Sequence, residues 1–149
     1  MQTFSLARYR VVPQPPEEDF YGAVDLAVPV IDGTPLFTIL GDRYPGVRTQ
    51  LVAAPSRHWL GEIVKGEDDR AVVLDGICGD PGCCGVFARI TLEAAAVVWF
   101  DFFARGIPEL PPGLRLEFDR SSYESAIAGL TELPPVDWEI DLNDYSDKP

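Results

Sequence analysis

The chain has 149 residues, of which 46% are hydrophobic and 24% are charged, a balance typical of a globular protein rather than a disordered one. Twenty-four acidic residues face 12 basic ones, giving a net charge of -12. Nucleic-acid affinity comes largely from Lys and Arg displacing counterions, so this charge argues against a nucleic-acid partner. It allows a basic protein partner, whose encounter it would accelerate. The alternative is that the acidic residues simply keep the protein soluble.

The N-terminal region indicates neither secretion nor membrane insertion. The first twelve residues include Arg8 and Arg10 but no long apolar run, so they do not form a signal peptide. No segment approaches the apolar length that a membrane-spanning helix needs. We therefore expect a cytoplasmic protein with no membrane partner. The length fits one domain over residues 1–149, with a frayed end at 143–149.

Residues 1–61 predict two strands and two short helices. A first strand covers 3–12, and apolar alternation predicts a second over 23–30. After the Asp32-Gly33 turn, Thr34 is a plausible N-cap for a short helix from Pro35 to Leu40. A further helical turn around His58 is expected to end at Gly61.

The middle of the chain predicts an antiparallel meander at about 71–103. Its three strands cover 71–78, 83–93 and 97–103, and each is rich in apolar and β-branched residues. Another strand follows at 114–118, and a helix at about 121–131 starts with Ser121 and Glu124 as a capping box. These elements predict the α+β class.

The C-terminal segment 136–142 alternates apolar and acidic residues. This pattern predicts a strand. One interpretation is an edge strand whose acidic side blocks further pairing, and the other is a docking segment for a partner. Edge protection is the commoner use of such charge.

Three cysteines within seven residues are the most distinctive feature. The segment Cys78-Gly79-Asp80-Pro81-Gly82-Cys83 suits a hairpin with Asp80, Pro81 and Gly82 in the turn, and Cys84 follows it directly. The thiols are interpreted first as buried packing residues. The alternatives are a reversible disulfide between Cys78 and Cys83, or a metal site completed by His58. Zinc normally needs four ligands, so the metal interpretation is the weakest and we predict no cofactor.

No catalytic residue is assigned. His58 is the only histidine, and the sequence has neither a nucleophile elbow nor a phosphate-binding glycine motif. Asp101 lies on an apolar strand, where a buried carboxylate needs a partner. Arg89 on the neighbouring strand would serve, so the two are predicted to form a buried ion pair.

The region between Ala71 and Phe103 resembles a family of small uncharacterised bacterial proteins. Three motifs carry the resemblance: the Cys-Gly-x-x-Gly-Cys hairpin, the Ala-Arg-Ile-Thr strand at 88–91, and the Val-x-Trp-x-Asp-Phe strand at 97–102. Members often carry another cysteine two positions before the first one, where this chain has Gly76, and that difference argues against a metal site. The resemblance implies the fold and no particular activity.

The sequence has no recognisable set of catalytic residues and an acidic composition, and together these features predict a non-enzymatic protein. We expect a cytoplasmic binding module, of the immunity or antitoxin type, that masks a basic protein. The alternative is a thiol-redox or metal-binding protein centred on Cys78 and Cys83.

Overall fold

The computed structural model describes residues 1–13, 24–40, 46–75, 85–105 and 110–140. Ten strands and three short helices occur in these ranges, together with two 3₁₀ turns at His58–Leu60 and Leu130–Glu132. The strands are β1 Phe4–Pro13, β2 Val24–Ile31, β3 Thr34–Pro35, β4 Val47–Arg48, β5 Gly66–Glu67, β6 Arg70–Asp75, β7 Gly85–Leu92, β8 Ala96–Arg105, β9 Leu116–Asp119 and β10 Val136–Ile140. The helices are α1 Leu36–Ile39, α2 Thr49–Val52 and α3 Arg120–Ala128.

Sheet 1 has the strand order β10-β1-β2-β3, and β4 also pairs with β2. The β1–β2 pair is antiparallel and joins Phe4 to Ile31 and Val11 to Val24. In contrast, β10 runs parallel to β1, from Tyr9 opposite Val136 to Pro13 opposite Ile140. The strand predicted over 136–142 is present at Val136–Ile140, and it is the last strand of this sheet among the described residues, while positions 141 and 142 lie outside them. Whether its acidic residues protect the edge or serve docking stays a prediction.

Sheet 2 has the order β5-β6-β7-β8-β9, so sequential neighbours pair throughout. All four pairings are antiparallel. The predicted meander is confirmed in β6, β7 and β8. Antiparallel strands dominate both sheets and the helices are short, which confirms the α+β class.

One apolar core lies between the two sheets and includes residues from β1, β2, β6, β7, β8, β9 and α3. Its centre is a group of edge-to-face and tilted rings from Phe4, Trp59, Trp99, Phe118 and Tyr123. Such aromatic contacts add to the free energy gained by burying the rings. The core therefore fixes the two sheets against each other.

Backbone contacts also tie the sheets together at two places. The amide of Asp75 donates to the carbonyl of Gly46 at 2.9 Å, and the amide of Gln2 donates to the carbonyl of Glu117 at 2.7 Å. A Cβ at Gly46 would overlap the carbonyl oxygen of Ala27, so only glycine fits this approach.

Helix caps differ from the sequence prediction. Asp119, not Ser121, is the N-cap of α3, and its carboxylate accepts a hydrogen bond from the amide of Ser122 at 2.9 Å. The helix starts one residue earlier than predicted, because the Asp119 side chain satisfies an N-terminal amide before Ser121 is reached. Thr34 does not cap α1, since it pairs in β3 and Pro35 occupies the cap position. No helix in the described residues is long and apolar enough to cross a membrane.

Candidate functional surfaces

Asp101 occupies a bulge on β8. The pairing with β7 shifts between Phe87 and Arg89, and Asp101 has a φ of 53°, in the left-handed region. A bulge adds one residue to a strand and changes which side chains face the core. Before the bulge Val97 and Trp99 face the core, and after it Phe102 and Ala104 do so. Asp101 itself is left on the solvent side.

The carboxylate of Asp101 binds two arginines. Its Oδ2 lies 2.8 Å from Nε of Arg89 and 2.9 Å from Nη2 of Arg70, while its carbonyl accepts from Nε of Arg70 at 2.8 Å. The predicted contact between Asp101 and Arg89 is therefore present. The prediction that the pair is buried is wrong, since the Asp101 side chain is 46% exposed. The prediction followed from the position of Asp101 on an apolar strand, and the bulge places this residue on the solvent side.

Phe103 lies on the same outer face, between further charged groups. The guanidinium carbons of Arg70 and Arg105 lie 5.8 and 5.5 Å from its ring centroid, within the range of cation–π attraction. Arg105 also donates from Nε to Glu67 at 2.7 Å. This part of the outer face of sheet 2 is thus a network in which three arginines bind two carboxylates around one exposed ring.

The electrostatics of this network do not favour proton transfer. Hydrogen bonds from Arg89 and Arg70 lower the pKa of Asp101, and a hydrogen bond from Arg105 lowers the pKa of Glu67. A general base works best when its pKa lies near the operating pH. Both carboxylates are instead held ionised as partners of arginine, a structural role.

A cavity of about 290 Å³ borders Asp101. Phe102 and residues 110–114 complete the part of its wall that the structure describes, and Asp101 is the only ionisable residue in that part. A catalytic pocket usually brings several polar groups together. The described wall of this cavity contributes one carboxylate, that of Asp101, and Arg70 and Arg89 already bind this carboxylate.

His58 is fully buried and both of its ring nitrogens have main-chain partners. Nε2 lies 2.9 Å from the carbonyl of Val72, and Nδ1 accepts from the amide of Val64 at 3.2 Å. This pattern requires the neutral ring with its proton on Nε2. Burial lowers the pKa of His58. Neither nitrogen is left for a metal ion in this arrangement, and the described residues include no metal-binding group of three or more His, Cys, Asp or Glu.

The carbonyl of Val72 is available to His58 because β6 is irregular there. The β6–β7 register shifts between Val72 and Leu74. The same carbonyl also accepts from Nε1 of Trp59 at 3.0 Å. One main-chain oxygen thereby satisfies two buried ring N–H groups, so His58 and Trp59 hold the 3₁₀ turn against sheet 2.

Cys78, Cys83 and Cys84 lie outside the described residues, as do Asp80, Pro81 and Gly82. Their bracketing residues are described: Asp75 ends β6, Gly85 begins β7, and the two are paired. The predicted turn, disulfide and metal site therefore stay predictions. Asp75 is a buried carboxylate at the base of this connection that sequence reasoning missed.

The other feature is the acidic end of sheet 1, defined as the end at which Pro13, Val24 and Ile140 lie. These residues are neighbours because β10 is parallel to β1 and β2 is antiparallel to it. The segments 14–23 and 141–149 both join the sheet there. Together with Glu139 they contain seven acidic residues and one basic residue, Lys148. The acidic ones are Glu17, Glu18, Asp19, Glu139, Asp141, Asp144 and Asp147.

Comparison with known proteins adds no relative: no family model, no curated protein and no solved structure matches the chain.

Proposed function

We propose that the protein is a non-enzymatic, cytoplasmic binding module that captures a basic protein through the acidic end of sheet 1. An immunity- or antitoxin-like role, in which the module masks that basic partner, fits this chemistry. The topology carries the proposal, because it joins two acidic segments from opposite ends of the chain to one end of one sheet. Opposite charge across an interface speeds the encounter and selects the partner.

The arrangement of the basic residues supports the same function. Seven arginines of the described residues form ion pairs with carboxylates of the protein itself: Arg8, Arg57, Arg70, Arg89, Arg105, Arg115 and Arg120. The whole chain nevertheless has twice as many acidic as basic residues, and six of the acidic ones stand in residues 14–23 and 141–149. A basic partner would balance this excess.

The test is affinity capture from a lysate of the source cells, followed by reconstitution with the purified captured protein. The bait variants are Glu17→Gln with Glu18→Gln and Asp19→Asn, and Asp141→Asn with Asp144→Asn and Asp147→Asn. The matched control neutralises Glu62, Glu93 and Glu132, which lie on other surfaces. We expect a basic partner whose affinity falls steeply with salt, is weakened by either bait variant, and is unchanged by the control.

Two results would contradict the proposal. One is a captured protein that is not basic, or whose affinity does not depend on salt. The other is equal weakening by the control variant, which would mean that net charge alone, and not the acidic end, is recognised.

The alternative function, a thiol-redox or metal protein, is supported by one observation. Asp75 and Gly85 are paired, so Cys78 and Cys83 belong to one connection whose two ends are fixed side by side. A native mass spectrum without reducing agent tests it. A bound metal, or a mass lower by two hydrogens that Cys78→Ser and Cys83→Ser each restore, supports this function, and three free thiols contradict it.

A further inference from the structure

The edges of the two sheets are protected unequally. An edge strand presents unpaired N–H and C=O groups that another chain can pair with, so proteins shorten, cover or distort such strands. In sheet 1 the strands β3 and β4 at one side have two residues each, and β5 at one side of sheet 2 also has two. Strands this short offer little template for pairing.

The other edge of sheet 2 is covered. Gln2 bridges to Phe118 of β9, and its main-chain amide donates to the carbonyl of Glu117. The side-chain oxygen of Gln2 also accepts from the amide of Glu117 at 2.7 Å. The N-terminal residues therefore use the polar groups of β9 that another strand would need.

Strand β10 differs from all of these edges. Its five residues pair with β1 in one continuous register with no shift. It is the last strand of sheet 1 in the described residues, and Pro134 and Pro135 precede it without interrupting it. Val136, the first residue of the strand, is 56% exposed. An edge strand of five residues without a register shift can accept an added strand.

Charge identifies the kind of strand that fits. Asp137 is exposed, and Glu139 lies two residues further along the strand. Cross-strand neighbours of opposite charge stabilise a pair, whereas like charges directly opposite destabilise it. A second copy of β10 would bring acidic residues beside acidic residues. A strand with Lys or Arg at every second position would bring a cation beside each of them.

We propose that β10 binds its partner by β-strand addition, and that the added strand is basic at alternate positions. This inference rests on the proposed function and specifies how the basic partner binds. Main-chain hydrogen bonds to the outer side of β10 supply affinity, and the exposed Asp137 selects a cation on the added strand. Position 139 shares the face of Asp137 by strand alternation, which sets the two-residue spacing of the cations.

The test uses a short peptide in which lysine and valine alternate, with a control peptide of the same composition whose lysines are grouped together. We expect the alternating peptide to bind about tenfold more tightly in fluorescence anisotropy. It should also slow hydrogen exchange at alternate amides between Val136 and Ile140, because every second N–H of a strand points away from its existing partner. Equal affinities, or exchange that is unchanged in β10, would overturn the inference.

Two proline variants provide a second measurement. Asp137→Pro and Trp138→Pro remove amides that point to opposite sides of β10. One of them should weaken β1–β10 pairing and lower the melting temperature, while the other keeps the fold and abolishes tight binding of the alternating peptide. Asp137→Asn controls for the lost charge. If the well-folded proline variant binds like the unaltered protein, strand addition is wrong.

The inference and the proposed function fail in different ways. If the captured partner of the previous experiment binds the well-folded proline variant normally, but not the variants with a neutralised acidic end, then acidic recognition stands and strand addition does not. If no basic partner depends on the acidic end, the proposed function fails, whatever the peptide does.

Discussion

The aromatic core and the acidic end of sheet 1 differ in how their polar groups are balanced. In the core, the hydroxyl of Tyr123 accepts from Nε1 of Trp99 at 3.1 Å and donates to the carbonyl of Trp59 at 2.5 Å. His58 and Trp59 share the carbonyl of Val72. At the acidic end, seven carboxylates accompany one lysine.

The core bears on the stability of the protein, and the acidic end bears on the recognition that we propose. A buried polar group without a hydrogen-bond partner costs free energy, so the core must match every donor with an acceptor. Surface charges in excess of their partners contribute little to folding and slightly oppose it by mutual repulsion. The polar groups of the core and of the Asp101 network, in contrast, have partners inside the protein.

The largest expected effect comes from the core. Trp99→Ala should lower the free energy of unfolding by about 3–5 kcal/mol, because it removes a fully buried ring and leaves a cavity among its aromatic neighbours. Urea denaturation measures this change. The control is Phe103→Ala on the same strand, where the ring is 39% exposed and the loss should be much smaller. Equal losses would mean that the core is not centred on Trp99.

The bulge at Asp101 gives the next effect. Asp101→Val and Asp101→Asn both remove the carboxylate that binds Arg70 and Arg89, but they differ in their tolerance of a φ of 53°. Asparagine adopts this conformation readily, whereas a β-branched residue does not. The valine variant should therefore be less stable than the asparagine variant by about 1–2 kcal/mol in thermal or urea denaturation. Equal stabilities would show that β8 has no left-handed residue at this position.

A pH-dependent prediction follows from His58. Burial lowers the pKa of the His58 imidazole in the folded protein. Between that lowered pKa and the ordinary value of about 6.5, the unfolded chain therefore binds a proton that the folded protein does not. The stability that this histidine contributes is complete above that pH and is lost as the pH falls toward the folded pKa. The free energy of unfolding should decrease by at most about 1.4 kcal/mol per pH unit in that window.

His58→Gln should abolish this slope, since the chain has no other histidine. Asp25→Asn is the control, because a hydrogen bond from Arg8 lowers the pKa of the Asp25 carboxyl. Asp25 contributes its stability above its unfolded pKa and loses it as the pH falls through the folded pKa, below about 4. The Asp25 variant should therefore keep the pH dependence of stability that His58 causes, and show a weaker pH dependence below about pH 4. If the free energy of unfolding of His58→Gln still falls with pH in the same window, another group causes that dependence.

Strand and helix positions were largely predictable because alternation and turn residues report local structure directly. The meander, the 3₁₀ turn that ends at Gly61 and the C-terminal edge strand follow from such patterns. The exposure of Asp101 was not predictable in this way. A single inserted residue reverses the strand's alternation, and only the register with β7 reveals the insertion.

Long-range pairing was also beyond the sequence pattern. Nothing local indicates that β10 lies beside β1 or that the two run parallel, yet this pairing joins the two acidic segments to the same end of sheet 1. Arg70 was missed for a related reason. It reaches Asp101 across β7, and that neighbourhood depends on the register of two strand pairs.

The smallest expected change in stability comes from the acidic end itself. Glu17→Gln with Glu18→Gln and Asp19→Asn should alter the free energy of unfolding by less than about 0.5 kcal/mol, the usual range for surface substitutions that break no specific contact. At low salt the change should be stabilising, because the variant has fewer carboxylates that repel one another. Urea denaturation at low and high salt measures both the size and the sign.

Arg8→Gln is the comparison variant for this last measurement. It breaks the ion pair with Asp25 at 2.7 Å and the hydrogen bonds to the carbonyls of Thr131 and Leu133. It should therefore lower stability where the acidic-end variants do not. If neutralising Glu17, Glu18 and Asp19 costs as much as the loss of Arg8, these carboxylates are already engaged within the protein. Their charge would then help to hold sheet 1 together, and the acidic excess would no longer be available to a basic partner.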